Sequence, residues 1–224
     1  LFDLDGTLTD PRIGITGSVA YALAKFGISV DDPHRTLTLF IGPPLLESFE
    51  KYYGFSRDEA RRALAYYREY FAPTGIFENT VYPGIPEALQ ELRAAGRRLC
   101  VATSKPEVYA RRILEHFSLD SCFDAVCGAT LDETRVRKAD VIAYALETLG
   151  TEPDAAVMVG DRLHDIEGAH ACGLPALGVT YGYGSRNELT AAGCRCTCRH
   201  AGGRRARSAG QVILTPPDAS AHQK

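Results

Sequence analysis

Asp3-Leu4-Asp5-Gly6-Thr7-Leu8 is the stretch that decides how this chain reads. The apolar lead-in over residues 1–4 has the character of a buried strand, and two carboxylates stand two residues apart at its end. Gly6 follows, where the backbone needs freedom for a sharp turn. An acidic turn after a strand explains Asp-x-Asp alone as well as chemistry does. The full string with its hydrophobic approach is much harder to explain that way.

Outward from this string, three more runs rich in Val, Ala and Leu are expected as buried parallel strands, at 98–102, 155–159 and 176–179. Amphipathic segments of helical length lie between them, at 85–95, 107–116, 139–149 and 166–172. Gly96, Gly150 and Gly173 fall just past three of these, where helices end. Strands alternating with helices imply a doubly wound parallel sheet. Residues 12–80 break the alternation. They read as helices at 15–26, 45–53 and 57–71, punctuated by Gly27, Gly42-Pro43-Pro44 and Gly54, with no convincing strand. Such a block after the first strand is expected as an inserted helical cap. The expected division is a core of 1–11 and 81–193, a cap of 12–80, and an atypical tail of 194–224.

Three further groups share the strand-end position of the first. Asp161 and Asp165 in Val159-Gly160-Asp161-Arg162-Leu163-His164-Asp165 are four apart, so one early helical turn can aim both at a point. Hard divalent cations prefer such oxygen donors, although a helix cap by Asp161 is the plainer alternative. In Val101-Ala102-Thr103-Ser104-Lys105-Pro106, a hydroxyl and the amides beyond it can hold a phosphate at a helix start, but Thr and Ser there are usually caps. Lys138, after Arg135 and Arg137, can offset negative charge or simply belong to a solvated basic patch. Coincidence decides. All four groups fall on the edge where open α/β sheets bind ligands. Of the paired carboxylates, one can attack phosphorus while the other handles the leaving group's proton.

The 224 residues are 45% hydrophobic and 24% charged, an ordinary globular composition, and the net charge of −3 argues against a nucleic-acid or membrane-surface binder. No run reaches the roughly 18–20 apolar residues of a spanning helix. No secretory signal is visible, and the opening Leu1 in place of Met makes a missing natural N-terminus the expectation. Seven cysteines, with Cys100, Cys122, Cys127 and Cys172 in apolar or helical settings, read as free buried thiols in a reducing cytoplasm.

Over residues 1–193, the order of Asp3-Leu4-Asp5-Gly6-Thr7, Thr103, Lys138 and Gly160-Asp161-Arg162-x-x-Asp165 resembles the haloacid dehalogenase superfamily. The nearest branch is the phosphoglycolate-phosphatase-like one with a helical cap. The likeness extends to Phe40-Ile41-Gly42-Pro43-Pro44 and to the segment from Gly178 to Ser185. It implies an α/β, Rossmann-like core with a parallel sheet flanked by helices, plus the inserted α-helical cap. It also implies a Mg²⁺-dependent phosphatase acting on small phosphate monoesters through an aspartyl-phosphate. Asp3 would be the nucleophile and Asp5 the acid/base. Mg²⁺ would be held by Asp3, the backbone carbonyl of Asp5 and Asp161, with Asp165 in support. Thr103 and Lys138 would bind the phosphoryl group, with Ser104 and Gly6 beside them, and Phe40, Gly42 and Pro43 would face the substrate.

Phosphoglycolate is the first substrate expectation, with a 5′-nucleotidase and a β-phosphoglucomutase-like phosphomutase as alternatives. A non-catalytic binding protein is the rival from another class, and it would be expected to have lost some of Asp3, Asp5, Lys138 or Asp161. The expected partner is a small phosphate ester, with no nucleic acid or membrane, for a monomer or homodimer. The tail stands apart. From Cys194 it carries five Arg and one Lys against one Asp, about +5, leaving about −8 upstream. It has no helical or strand period, so loop or disorder is expected. Cys194-x-Cys196-x-Cys198-x-His200 is spaced more tightly than zinc sites normally are. Relatives in the branch continue with a strand and helix, so a reading-frame change near Gly193, with loss of a sheet edge, is the expectation.

Overall fold

The computed structural model describes residues 1–132 and 134–199. Residues 1–3 run between two parallel neighbours. Phe2 donates its N–H to Cys100 O at 2.8 Å and accepts from Ala102 N at 2.7 Å. On the other side, Asp3 N donates to Val159 O at 2.9 Å and Val159 N to Leu1 O at 2.8 Å. The chain then leaves the sheet and pairs β1 (Thr9–Asp10) antiparallel with β2 (Thr80–Val81). Between these short strands lie α1 (Arg12–Ala24), α2 (Pro33–Thr36), α3 (Leu45–Tyr53) and α4 (Arg57–Tyr70). This is the inserted helical cap, in which α1 and α3 both pack on α4. A reciprocal cap starts α4: Ser56 Oγ accepts from Glu59 N, and Glu59 Oε2 accepts from Ser56 N.

After β2 helices and strands alternate: α5 (Ile85–Ala94), β3 (Cys100–Pro106), α6 (Glu107–His116), β4 (Ala125–Ala129), α7 (Lys138–Leu149), β5 (Met158–Gly160), α8 (Leu163–Ala171), β6 (Ala176–Val179), α9 (Arg186–Ala191) and β7 (Cys196–Cys198). The parallel order is β4, β3, residues 1–3, β5, β6, β7. The chain builds outward to β4 and then returns to begin β5 on the other side of residues 1–3. Strand order therefore reverses at Asp3, and a crevice opens at such a point in a doubly wound sheet.

Helix α7 shows how packing places a functional side chain. Val141, Ile142, Ala145 and Leu146 are buried on one face, against β3 and β4. Full burial of each larger side chain contributes roughly 1.5–3 kcal/mol. That face fixes the helix with its first residue, Lys138, at the ligand-binding edge of the sheet. The cap is anchored in the same way, because its Ile15, Val19, Leu23, Phe40 and Phe49 share one apolar cluster with Leu4, Val101, Ile113 and Leu114.

Several elements differ from expectation, beginning with the short pair β1–β2 and helix α9, neither of which was expected. β4 does not announce itself in the sequence, and β7 corrects the loop or disorder expected from Cys194. β7 runs parallel to β6, with Leu177 opposite Cys196 and Val179 opposite Cys198. An edge strand takes its backbone partners from its neighbour, so it forms without an amphipathic period of its own. The sheet edge expected to be missing is thus occupied as far as Cys198. His200 and the rest of the basic tail lie outside the described residues.

Cys100 and Cys127 are buried, whereas Cys122 and Cys172 are half-buried rather than buried as expected, and these four are free thiols. Among the described residues no helix is long and apolar enough to cross a membrane. A cavity of about 720 Å³ lies between α5 and the sheet, lined by Leu89, Leu92, Val159, Leu177 and Val179 among others. None of the four predicted site aspartates lines it, so its size does not make it the reaction centre.

Candidate active site

Asp3, Asp161 and Asp165 converge at the switch point. All three are buried, and one carboxylate oxygen from each lies within 4.8 Å of the others. Asp3 arrives on the central strand, Asp161 follows β5, and Asp165 sits in the first turn of α8. Lys138 reaches in from α7, with Nζ 2.8 Å from Asp3 Oδ1 and 2.8 Å from Asp165 Oδ1. It also donates to Ala102 O at 3.2 Å. Burial pushes the Lys138 ammonium down, but the Asp165 and Asp3 carboxylates outweigh it and hold the group above the ordinary lysine range.

One ammonium does not balance three buried carboxylates. Burial holds Asp161 well above the usual carboxylate range, and Asp165 and Asp3 push the same way. Burial also raises Asp165, against the pull of Lys138. The remaining lone pairs are partly satisfied. Asp161 Oδ2 accepts from Tyr183 N at 2.7 Å, and Asp165 Oδ2 accepts from Arg162 N at 3.0 Å. An all-oxygen set with uncompensated negative charge fits a hard divalent cation, which would neutralise it.

Asp5 faces the cap rather than the carboxylate cluster. Its Oδ2 is 2.7 Å from Lys105 Nζ, and its buried Oδ1 has no hydrogen-bond partner among the described residues. Burial raises its carboxyl, with Lys105 opposing and Asp3 reinforcing. A small cavity of about 70 Å³ lies above this pair. Asp3, Asp5, Thr103, Ser104 and Lys105 form its core side, and Ile15, Phe40, Gly42, Pro43, Leu45, Tyr67 and Phe71 its cap side. Of the sequence-predicted substrate contacts, Thr103, Ser104, Phe40, Gly42 and Pro43 line this chamber, whereas Gly6 and Lys138 do not.

Two expected contacts take a different form. The Gly6 amide donates to Thr9 O at 2.7 Å, so it is already committed. What Gly6 provides is a close approach: at φ +88°, a Cβ there would lie 2.3 Å from Asp161 Oδ2. Phe40 touches the chamber from within the cap's aromatic cluster, with its ring 5.1 Å from Phe49 and 5.6 Å from Tyr52. Lys105, Tyr67 and the Tyr183 amide stand at the site without having been expected there. Lys105 turns toward Asp5 because the ladder of β3 shifts register between Thr103 and Pro106. Its Nζ also lies 4.6 Å from the Phe71 ring centroid. Its place beside Thr103 and Ser104 was the only signal that could have marked it.

Comparison with known proteins agrees with this geometry. The sequence profile of haloacid dehalogenase-like hydrolases matches residues 1–179. A 5′-nucleotidase of Pseudomonas aeruginosa is 51% identical over 191 residues, 85% of this chain and 86% of that protein. The protein named tyrosine-protein kinase PtkA of Mycobacterium tuberculosis is 43% identical over 184 residues, 82% of this chain but only 62% of its own length. The phosphoglycolate phosphatase of Rhodospirillum rubrum stands lower, at 37% over 203 residues, covering 86% of this chain and 83% of that protein. The crystal structure of a predicted phosphatase from Clostridium acetobutylicum superposes with a TM-score of 0.85 at 51% identity, covering 88% of this chain and 90% of that one. The carboxylate cluster in this fold supports hydrolysis of phosphoric monoesters through an aspartyl-phosphate. Sheet order, inserted cap and profile coincide, and the chain belongs to the haloacid dehalogenase-like hydrolases.

Proposed function

We propose that this chain is a Mg²⁺-dependent 5′-nucleotidase that releases phosphate from nucleoside monophosphates, rather than the phosphoglycolate phosphatase placed first by its sequence. The observation that carries the substrate class is 51% identity to a curated 5′-nucleotidase over most of both chains. The chemistry rests on the convergence of Asp3, Lys138, Asp161 and Asp165.

Asp3 attacks phosphorus with a carboxylate oxygen while the bond to the leaving 5′ oxygen breaks. Asp5 gives that oxygen its proton. Burial, by raising the Asp5 carboxyl, favours the proton-carrying form that this step needs. A water then attacks the phosphorus, passes a proton to Asp5, and leaves Asp3 free with inorganic phosphate released. Lys138 orients Asp3 and offsets the charge that gathers at the phosphoryl group, and the Thr103 hydroxyl donates to one of its oxygens. Mg²⁺, held by Asp3, Asp161, the Asp5 carbonyl and, in support, Asp165, would supply positive charge that reduces repulsion between the nucleophile and an anionic phosphate.

The small chamber favours a second reading. About 70 Å³ suits a compact substrate such as phosphoglycolate, whereas a nucleoside requires the cap to part or its base to lie outside. Phosphate release across nucleoside monophosphates, phosphoglycolate and sugar phosphates separates the two. The expected order puts a nucleotide ahead of phosphoglycolate by about tenfold or more in kcat/KM. EDTA should stop release, and added Mg²⁺ should restore it. Phosphoglycolate ahead of every nucleotide would overturn the nucleotidase reading. Substitutions across residues 40–44 are expected to reorder the panel, and an unchanged order in folded variants would remove that loop from specificity.

A further inference from the structure

Arg162 stands between two of the converging aspartates, yet its guanidinium points away from them. Nη1 donates to the carbonyl of Ile41 in the cap, at 2.6 Å. Nε donates to Glu188 Oε1 at 2.8 Å. The same Glu188 oxygen accepts from Leu163 N at 3.0 Å, so one carboxylate satisfies both a first-turn amide of α8 and the arginine. Glu188 is itself held at the start of α9, where its N–H donates to Ser185 Oγ at 3.0 Å. The Arg162 side chain is only 17% exposed and Glu188 22%, so water competes weakly for these bonds.

The cap side is shaped to receive this contact. Ile41 is fully buried, and Gly42 follows at φ +103°. A Cβ on Gly42 would lie 3.0 Å from Arg162 Nη1 and 3.1 Å from its Cγ. Gly42 and Pro43 then form part of the chamber wall above Asp3. Directly below the clasp, Arg162 N donates to Asp165 Oδ2. One residue thus bonds through its backbone to the carboxylate cluster and through its side chain to the substrate-facing loop.

We propose that Arg162 is a positioning residue that locks the 41–43 loop in register with the Asp161–Asp165 loop, and so sets how tightly the chamber grips the substrate's leaving group. A guanidinium suits this role because its fixed fork reaches Ile41 O and Glu188 together, which an ammonium does not do with the same geometry. The kinetic consequence rests on the phosphomonoesterase reading above. The structural consequence does not.

The test uses the full chain with Mg²⁺ and compares Arg162→Ala, Arg162→Lys and Glu188→Gln. Hydrogen exchange is followed over residues 40–45, and kcat and KM are measured with AMP and with p-nitrophenyl phosphate. Arg162→Ala is expected to speed exchange in that segment by about tenfold and to raise KM for AMP by a similar factor, through loss of its charge-assisted hydrogen bond to the cap. kcat should change much less, and Arg162→Lys should recover part of the KM. Glu188→Gln should fall between wild type and Arg162→Ala. If Arg162→Ala fails to fold, Arg162→Lys decides the matter, because it keeps the charge and loses the fork that reaches Ile41 O and Glu188 together, and unchanged exchange at 40–45 in that variant would equally overturn the proposal. Unchanged exchange at 40–45 in folded Arg162→Ala would overturn the proposal, as would a loss confined to kcat. Absence of turnover in the wild type, with the exchange result intact, would count against the phosphatase reading and leave the clasp standing.

Discussion

Asp3→Asn is expected to abolish phosphate release, by on the order of 10⁴-fold or more, while the protein stays folded. The substitution keeps the size of the side chain and removes the one carboxylate that lies on the central strand at the switch point. Its effect on stability should be small for a stated reason. Lys138 keeps Asp165 as a partner at 2.8 Å, and Asp161 and Asp165 each lose a neighbouring like charge. Circular dichroism and the thermal midpoint should match wild type. Substantial retained activity in a correctly folded Asn variant would remove Asp3 as the nucleophile.

Lys138→Met should act on both stability and rate. The ammonium is nearly inaccessible and bridges two carboxylates that are themselves almost fully buried, so its removal leaves charge in the interior without a partner. Breaking a buried pair in this way costs about 3–5 kcal/mol. Loss of one fixed donor at the reacting group costs a further 10²–10³ or so in kcat. A urea titration with and without Mg²⁺ separates the contributions. The variant should unfold at lower urea than wild type, and Mg²⁺ should restore more of its stability than it adds to wild type, since the cation answers the same excess of carboxylate. An unchanged midpoint without Mg²⁺ would contradict the ion-pair geometry.

Legibility in the sequence followed whether a feature was local. The Val-, Ala- and Leu-rich runs marked strands because parallel sheets covered on both faces need continuous apolar stretches. The apolar spacing of α3 and α6 placed them at the bounds the structure has. β4 lacked that signature. Its Ala-Val-Cys-Gly-Ala is short and small, and Gly128 is small because a Cβ there would lie 2.6 Å from the backbone of Glu107. α8 starts three residues earlier than the apolar pattern suggested, since Asp165 and Glu188 accept from the amides of Arg162 and Leu163. Neither partner can be read from α8's own periodicity.

The site divided along the same line. Asp3, Asp5, Thr103, Lys138, Asp161 and Asp165 were visible because each follows a recognisable strand or opens a helix. Lys105 was not, because its direction depends on a register shift inside β3. Arg162 was hidden more thoroughly. Its partners are 121 and 26 residues away, and within the motif it occupied a position to which no chemistry was assigned.

The claim that the phosphoryl group passes through Asp3 is tested most directly by trapping it. Wild-type protein is quenched during turnover of a saturating nucleoside monophosphate with Mg²⁺, any acyl phosphate is reduced with borohydride, and the peptide carrying residues 1–12 is sequenced by mass spectrometry. Reduction of an aspartyl-phosphate leaves homoserine, and the expected site is residue 3, with residue 5 unchanged and no conversion in Asp3→Asn. Conversion at Asp5, or brisk turnover with residue 3 unmodified at every quench time, would contradict the account.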